Sequence, residues 1–174
     1  MRNILLSLSV LSLLGACGGK ETAEDTAAPA ASDEPAAAEV EEGPGRDLSA
    51  VDVCALIPAD AVAGAAGSTP EGAATPTEPG FDGKGCRYEY RVGGLRQSTE
   101  VSLHPPGTCN FWRDMQTFKL TDLSGIGDRA FWGERTGHTD FYVLKSGDVC
   151  VHVQARGQEL EQAQAIAESV LGRL

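Results

Sequence analysis

Four cysteines, Cys54, Cys86, Cys109 and Cys150, constrain the fold of this chain more than any other feature. Between them lie 31, 22 and 40 residues, spacings that match no zinc-ligand pattern, and no Cys-x-x-Cys suggests a thioredoxin-type redox site. In an oxidising compartment four such cysteines close two covalent loops, with three connectivities open. Whether they do so depends on where the chain is sent, and that is written at its other end.

Met1 is followed by the basic Arg2 and by an uncharged run, Ile4 to Leu14, rich in Leu, Ser and Val. A positive start, a short apolar stretch and small residues at its close are the layout of a bacterial secretory signal. The run is too short for a spanning helix, which needs about 20 apolar residues. Its ending, Leu14-Gly15-Ala16-Cys17, resembles the lipobox of bacterial lipoproteins. The resemblance implies that residues 1–16 are removed, that the Cys17 thiol is diacylglycerated, and that the new N-terminus takes a fatty acid such as palmitate. At about 0.8 kcal/mol per buried methylene, two or three acyl chains hold a protein on a bilayer. It implies export and a lipid anchor to the cell envelope, on the outer membrane in a Gram-negative cell. Ordinary secretion and an uncleaved anchor are the alternatives.

Residues 17–47 are expected to be the lipidated cysteine and a disordered tether. From Gly18 to Asp47 the chain carries nine acidic and two basic residues, and Val40 is its one large aliphatic. Such a stretch buries too little apolar surface to offset chain entropy, and its charges extend it. Residues 48–174 are then a single domain, with 11 basic and 16 acidic side chains for a net of −5. An acidic protein without a basic amphipathic helix is a poor partner for nucleic acid or for an anionic lipid surface.

Within the domain, Val53 to Ala66 is expected to form a helix closed by Gly67, with Pro58 suited to its first turn, where a missing N–H costs nothing. Ser68 to Gly85, dense in Gly, Pro, Thr and Glu, reads as a long mobile loop. Cys86 to Val92 alternates cleanly, Gly93-Gly94 marks a turn, and Thr99 to Leu103 alternates again, a hairpin with one wet face. Phe111, Met115 and Phe118 share one side of a short helix. Three short strands follow, at about 129–134, 139–145 and 148–155. Gly125-Ile-Gly-Asp-Arg lacks the lysine and the βαβ context of a phosphate loop and reads as a tight turn. A helix from Gln158 to Leu174 closes the chain, its stripe being Leu160, Ala163, Ala167, Val170, Leu171 and Leu174. The expected fold is α+β: one antiparallel sheet of about five strands, N- and C-terminal helices packed on it, and two disulfides. This order favours Cys54–Cys86, first helix to first strand, and Cys109–Cys150, short helix to last strand, and leaves the other connectivities open. Cys150 alternates with Val149 and Val151, so Cys109 must reach the opposite face of the sheet.

No catalytic, metal or cofactor site is expected. His104, His138 and His152 form no HxH or HExxH, and there is no GxSxG or GxGxxG. His104 and His152 are strand residues that could approach one another. Phe111, Trp112, Phe118, Phe131, Trp132, Phe141 and Tyr142 concentrate the aromatic residues. Neighbours in a strand face opposite ways, so one set completes the core, and Trp112, Trp132 and Tyr142 are the candidates for a binding surface.

The domain also resembles a group of small lipoproteins of unknown function best known from mycobacteria. The likeness rests on Cys54-Ala-Leu-Ile through Gly67, Cys86-Arg-Tyr88, the Gly125 to Ala130 turn, and Ile166 to Leu171. It implies a disulfide-braced α+β domain and supplies no catalytic residue; Cys109 and Cys150 are additional to that pattern. The functional expectation is a non-catalytic, lipid-anchored envelope module that binds a protein, a cell-wall fragment or a small ligand. An envelope hydrolase built from scattered residues, or a purely structural surface lipoprotein, are the alternatives.

Overall fold

The computed structural model of the chain describes residues 44–115, 119–157 and 160–174. The expected signal, Cys17 and nearly all of the expected tether lie outside the described residues, as do Phe118 and the first two positions expected in the terminal helix.

Seven antiparallel strands form one sheet in the order β1-β2-β3-β7-β6-β5-β4. They are β1 (Thr75–Thr77), β2 (Lys84–Val92), β3 (Leu95–His104), β4 (Leu120–Leu123), β5 (Arg129–Arg135), β6 (His138–Lys145) and β7 (Val149–Arg156). The expected count of about five is therefore corrected to seven. The two unforeseen strands, β1 and β4, are the two edges of the sheet. An edge strand is paired on one side only, so it needs neither alternation nor a full set of N–H donors, which is why Pro76 is tolerated in β1. The expected loop 68–85 is thus partly strand, with Thr75 opposite Arg87 and Pro70 bridging to Tyr90.

The expected first helix is two: α1 (Val53–Leu56) and α2 (Ala59–Ala65). Pro58 causes the break. Its ring excludes helical backbone at the preceding residue, and Ile57 is extended at φ −123°, ψ 96°. The Ile57 carbonyl freed by the break accepts from the Tyr88 hydroxyl at 3.0 Å, so the interruption is tied to β2. Asp52 caps α1 by accepting from the Ala55 N–H at 3.0 Å.

The helices α1, α2 and α4 (Leu160–Leu171) cover one face of the sheet. Cys86, Tyr88, Tyr90, Val101, Leu103, Phe141, Val143, Val151 and Val153 point into that face and are buried. From α4 come Ala163, Ala167 and Val170, with Ile166 added to the expected stripe. Lys145 donates to the Leu171 carbonyl and closes the C-terminal end of α4. Gly125 and Gly127 both have positive φ, 86° and 58°, in the tight turn before β5.

The other face carries α3 (Gly107–Met115) over a smaller cluster of Cys109, Phe131, Tyr142, Leu144 and Cys150. Both disulfides have the favoured pairing, Cys54–Cys86 and Cys109–Cys150. Cys109 does reach the opposite face, because α3 lies there. Two disulfides in one chain point to an oxidising, extracytoplasmic compartment.

Candidate functional site

Cross-strand register brings the polar residues of the α3 face into rows. Glu100, Gln154 and Asp140 form one row; Ser102, His152, Tyr142 and Phe131 form the next; His104, Cys150, Leu144 and Arg129 form the third. Alternation alone puts every one of these side chains on the same side.

Asp140 anchors the arrangement. It is fully buried, and an ionised carboxylate can only accept hydrogen bonds. His152 Nε2 donates to its Oδ1 at 2.9 Å and Gln154 Nε2 at 3.2 Å. Arg135 Nε donates to its Oδ2 at 2.8 Å and shares that hydrogen with His138 Nε2 at 3.1 Å. Burial pushes the Asp140 carboxyl up, but the His152 hydrogen bond and charge, Gln154 and Arg135 outweigh it and hold it below its ordinary range. The carboxylate therefore fixes the orientation of three side chains at once.

Ring stacking fixes the rest. His152 lies on Tyr142 with centroids 4.4 Å apart and planes 5° apart, and Tyr142 lies on Phe131 at 4.9 Å. Trp112 of α3 stacks on Tyr142 at 6.1 Å. Burial, and then the negative charge of Asp140, push the Tyr142 hydroxyl far up, so it stays protonated.

His104 is 2% exposed, with Nε2 2.9 Å from Ser102 Oγ and its ring 6.3 Å from that of His152. The loop before β2 closes over it: a Cβ built on Gly83 would fall 2.4 Å from His104 Nδ1. Burial first, then the neighbouring His152, push its pKa down to about 4, against the Gly80 backbone and Glu100, which favour the proton. His104 is therefore neutral at pH 7.

Between these groups lies a cavity of about 170 Å³, lined by Glu100, His104, Trp112, Arg135, His152, Gln154 and Pro79. A wider groove of about 650 Å³ lies between Arg46–Ser49 and the loop around Gly80–Lys84. The small cavity is the candidate site, because buried bonds already hold its polar lining in place. Among the described residues, no group of three or more His, Cys, Asp and Glu side chains could hold a metal ion.

Of the residues singled out from the sequence, Trp112 and Tyr142 meet, and His104 and His152 come together. Trp132 does not join them. It packs against the main core on the opposite face of the sheet, and Tyr142 is fully buried rather than exposed. Asp140, Arg135 and Gln154 were missed. A signal for Asp140 existed: a carboxylate in the strand His138–Lys145, otherwise apolar at its centre, must find donors if that strand is buried. Its donors stand on β5 and β7, and only a correct register would have named them.

No protein-family model matches this chain, and neither a curated protein nor a solved structure does. The chemistry of the site therefore rests on its own geometry.

One consequence is a specific acid sensitivity. The unfolded chain protonates His104 near pH 6.5, while the fold resists until about pH 4. Between those values the unfolded state binds more protons, so stability is complete above pH 6.5 and falls as the pH drops, by about 3 kcal/mol in all. Urea melts of the wild type and His104→Gln at pH 7 and pH 4.5 should show a clearly shallower loss in the variant. Equal losses would show that another group carries the effect.

Proposed function

We propose that this chain is a lipid-anchored cell-envelope protein, exported through its N-terminal signal and held by acyl chains on Cys17. Its domain is a non-catalytic module that binds one small polar ligand. The supporting observation is the cavity of about 170 Å³ whose polar lining is pre-oriented by the buried Asp140. Pre-orientation lowers the entropy lost on binding. Drug-sized ligands occupy roughly 300–1,000 Å³, so this cavity suits an amino acid or a single sugar unit. Trp112 supplies an aromatic wall, while Glu100 and Gln154 supply an acceptor and an amide.

An envelope hydrolase would need nucleophile, base and orienting acid in one relay. Here Ser102 pairs with His104 and Asp140 with His152, in two separate pairs, and Ser102 is 1% exposed and does not line the cavity. The geometry favours binding over catalysis.

Titrating the domain with amino acids, single sugars and cell-wall fragments should find one class that changes Trp112 emission. Gln154→Leu should abolish that response. A flat response across all classes would refute the small-ligand reading. Separately, Cys17→Ala or globomycin treatment should move the protein out of the membrane fraction, and unchanged membrane association would refute the anchor.

A further inference from the structure

Four large apolar side chains are exposed among the described residues, and three of them, Phe81, Phe111 and Met115, belong to one patch. Phe111 and Met115 are one helical turn apart on α3, hence on the same side of it. The ring of Phe81 lies 5.0 Å from Phe111, and both pack edge-on against Trp112, at 5.5 and 5.7 Å. The patch is therefore continuous. It is also built against local preference: Phe81 and Asp82 hold φ of +52° and +53°, a left-handed conformation that side chains with a Cβ avoid. A loop strained in this way to hold an aromatic ring 49% exposed calls for a reason outside the folded domain.

We propose that this patch seats on the bilayer surface beside the anchor, its aromatic rings entering the interface between headgroups and acyl chains. The proposal rests on the reading that Cys17 is acylated. Phe and Trp are among the side chains that interfacial surfaces bury at the boundary between headgroups and acyl chains. The position of the chain entry supports this occupant. Arg46, Asp47 and Leu48 line the same groove as Phe81, so the segment leading back to Cys17 joins the domain next to the patch. Only 26 residues, Gly18 to Gly43, separate that entry from the anchor. As the disordered tether expected from their composition, they would reach roughly 28 Å at about 5–6 Å × √n. Such a short tether keeps the patch at an effective concentration of order millimolar, so a weak intrinsic affinity is enough. Charge selects the lipid. Asp82 and Lys84 offset one another in sign, Arg113 is paired with Asp122 at 3.1 Å, Asp114 adds a negative charge, and the domain is net acidic, so the surface fits zwitterionic rather than anionic headgroups.

The chain has two tryptophans, which makes the seating measurable. The lipidated mature protein carrying Trp132→Phe is placed in phosphatidylcholine vesicles with acyl chains brominated near the headgroup. Trp112 emission should fall about two-fold, since interfacial side chains sit roughly 5–10 Å into the boundary. The companion variant Trp112→Phe leaves Trp132, on the opposite face of the sheet, and should show no quenching. Phe81→Gly removes the ring and relieves the positive φ. It should keep or raise the melting temperature while losing most of the quenching.

Vesicle flotation separates the two readings. Protein that floats without quenching of Trp112 overturns the patch and leaves the anchor intact. If the protein does not float, the anchor fails, and the mature chain with Cys17→Ser decides the patch alone. That chain should show the quenching at millimolar lipid, and its absence overturns the proposal. A concentration-dependent dimer lost in Phe81→Gly, with no quenching by lipid, would assign the patch to a second copy instead.

Discussion

Asp140→Ala is expected to lower the unfolding free energy by about 2–4 kcal/mol, because it takes the shared acceptor from the part-buried His152 and Gln154 donors. The carboxylate is fully buried, and its removal leaves Arg135 and His152 without the acceptor both are aimed at. Domains of this size are stable by roughly 5–15 kcal/mol, so the variant should be marginal at 37 °C. Asp140→Asn keeps the shape but turns an N–H group toward N–H donors, and should lose almost as much. Glu100→Gln is the control. Its ion pair with Arg87, at 2.9 Å, is part-exposed and should contribute no more than about 1 kcal/mol. The pH signature is distinct from that of His104. Because its donors depress the Asp140 pKa, its stabilisation is present above the ordinary carboxylate range and is lost as the pH falls through the lower, folded-state value. Acid unfolding of the wild type should thus proceed in two stages, the loss due to His104 beginning near pH 6.5 and that due to Asp140 following at lower pH. Urea melts from pH 7 to pH 3 check both; a loss under 1 kcal/mol in Asp140→Ala would remove the carboxylate from its central place.

What was legible in the sequence was local. The Cys86 to Val92 alternation, the Gly93-Gly94 turn, the three-strand meander and the terminal helix each carry their own period and punctuation, and each is present. Pro58 was legible as a landmark but not in its effect, because a proline suits a first turn and breaks a later one, and the choice depends on where the helix begins. The edge strands β1 and β4 were not legible, since pairing on one side leaves no pattern to read. The site was half legible. His104 and His152 could be placed on facing strands, but the Asp140 hub depends on β6 and β7 meeting in a register set by Ser146-Gly147-Asp148 and on Arg135 reaching across from β5. Trp132 illustrates the limit from the other side. Alternation showed that Trp132 and Phe131 face opposite ways, but not which of the two faces α3 covers.

Alanine at both members of either disulfide is expected to lower stability by just under 4 kcal/mol, and the two losses should differ in what they do to the site. Sequence separations of 32 and 41 close loops of similar size. Loop-closure entropy grows only with the logarithm of length, giving about 3.7 and 3.9 kcal/mol. The consequences diverge because the bridges lie on opposite faces. Cys86 is in the main core, where the helices and the Tyr88 bond to Ile57 still hold the face together once the bridge is gone. Cys109 is one of two buried residues of α3, and Cys150 lies under it in the smaller cluster, so that bridge is the main tie between α3 and the sheet. Cys109→Ala/Cys150→Ala should therefore loosen Trp112 from Tyr142, shift its emission to the red and abolish any ligand response, even where the sheet remains folded. Cys54→Ala/Cys86→Ala should leave Trp112 emission unchanged below its own unfolding transition. Urea melts followed by tryptophan emission and by far-UV circular dichroism separate the two behaviours, since only the first variant should show the signals parting. Coincident curves in both variants would mean that α3 is held by its packing alone.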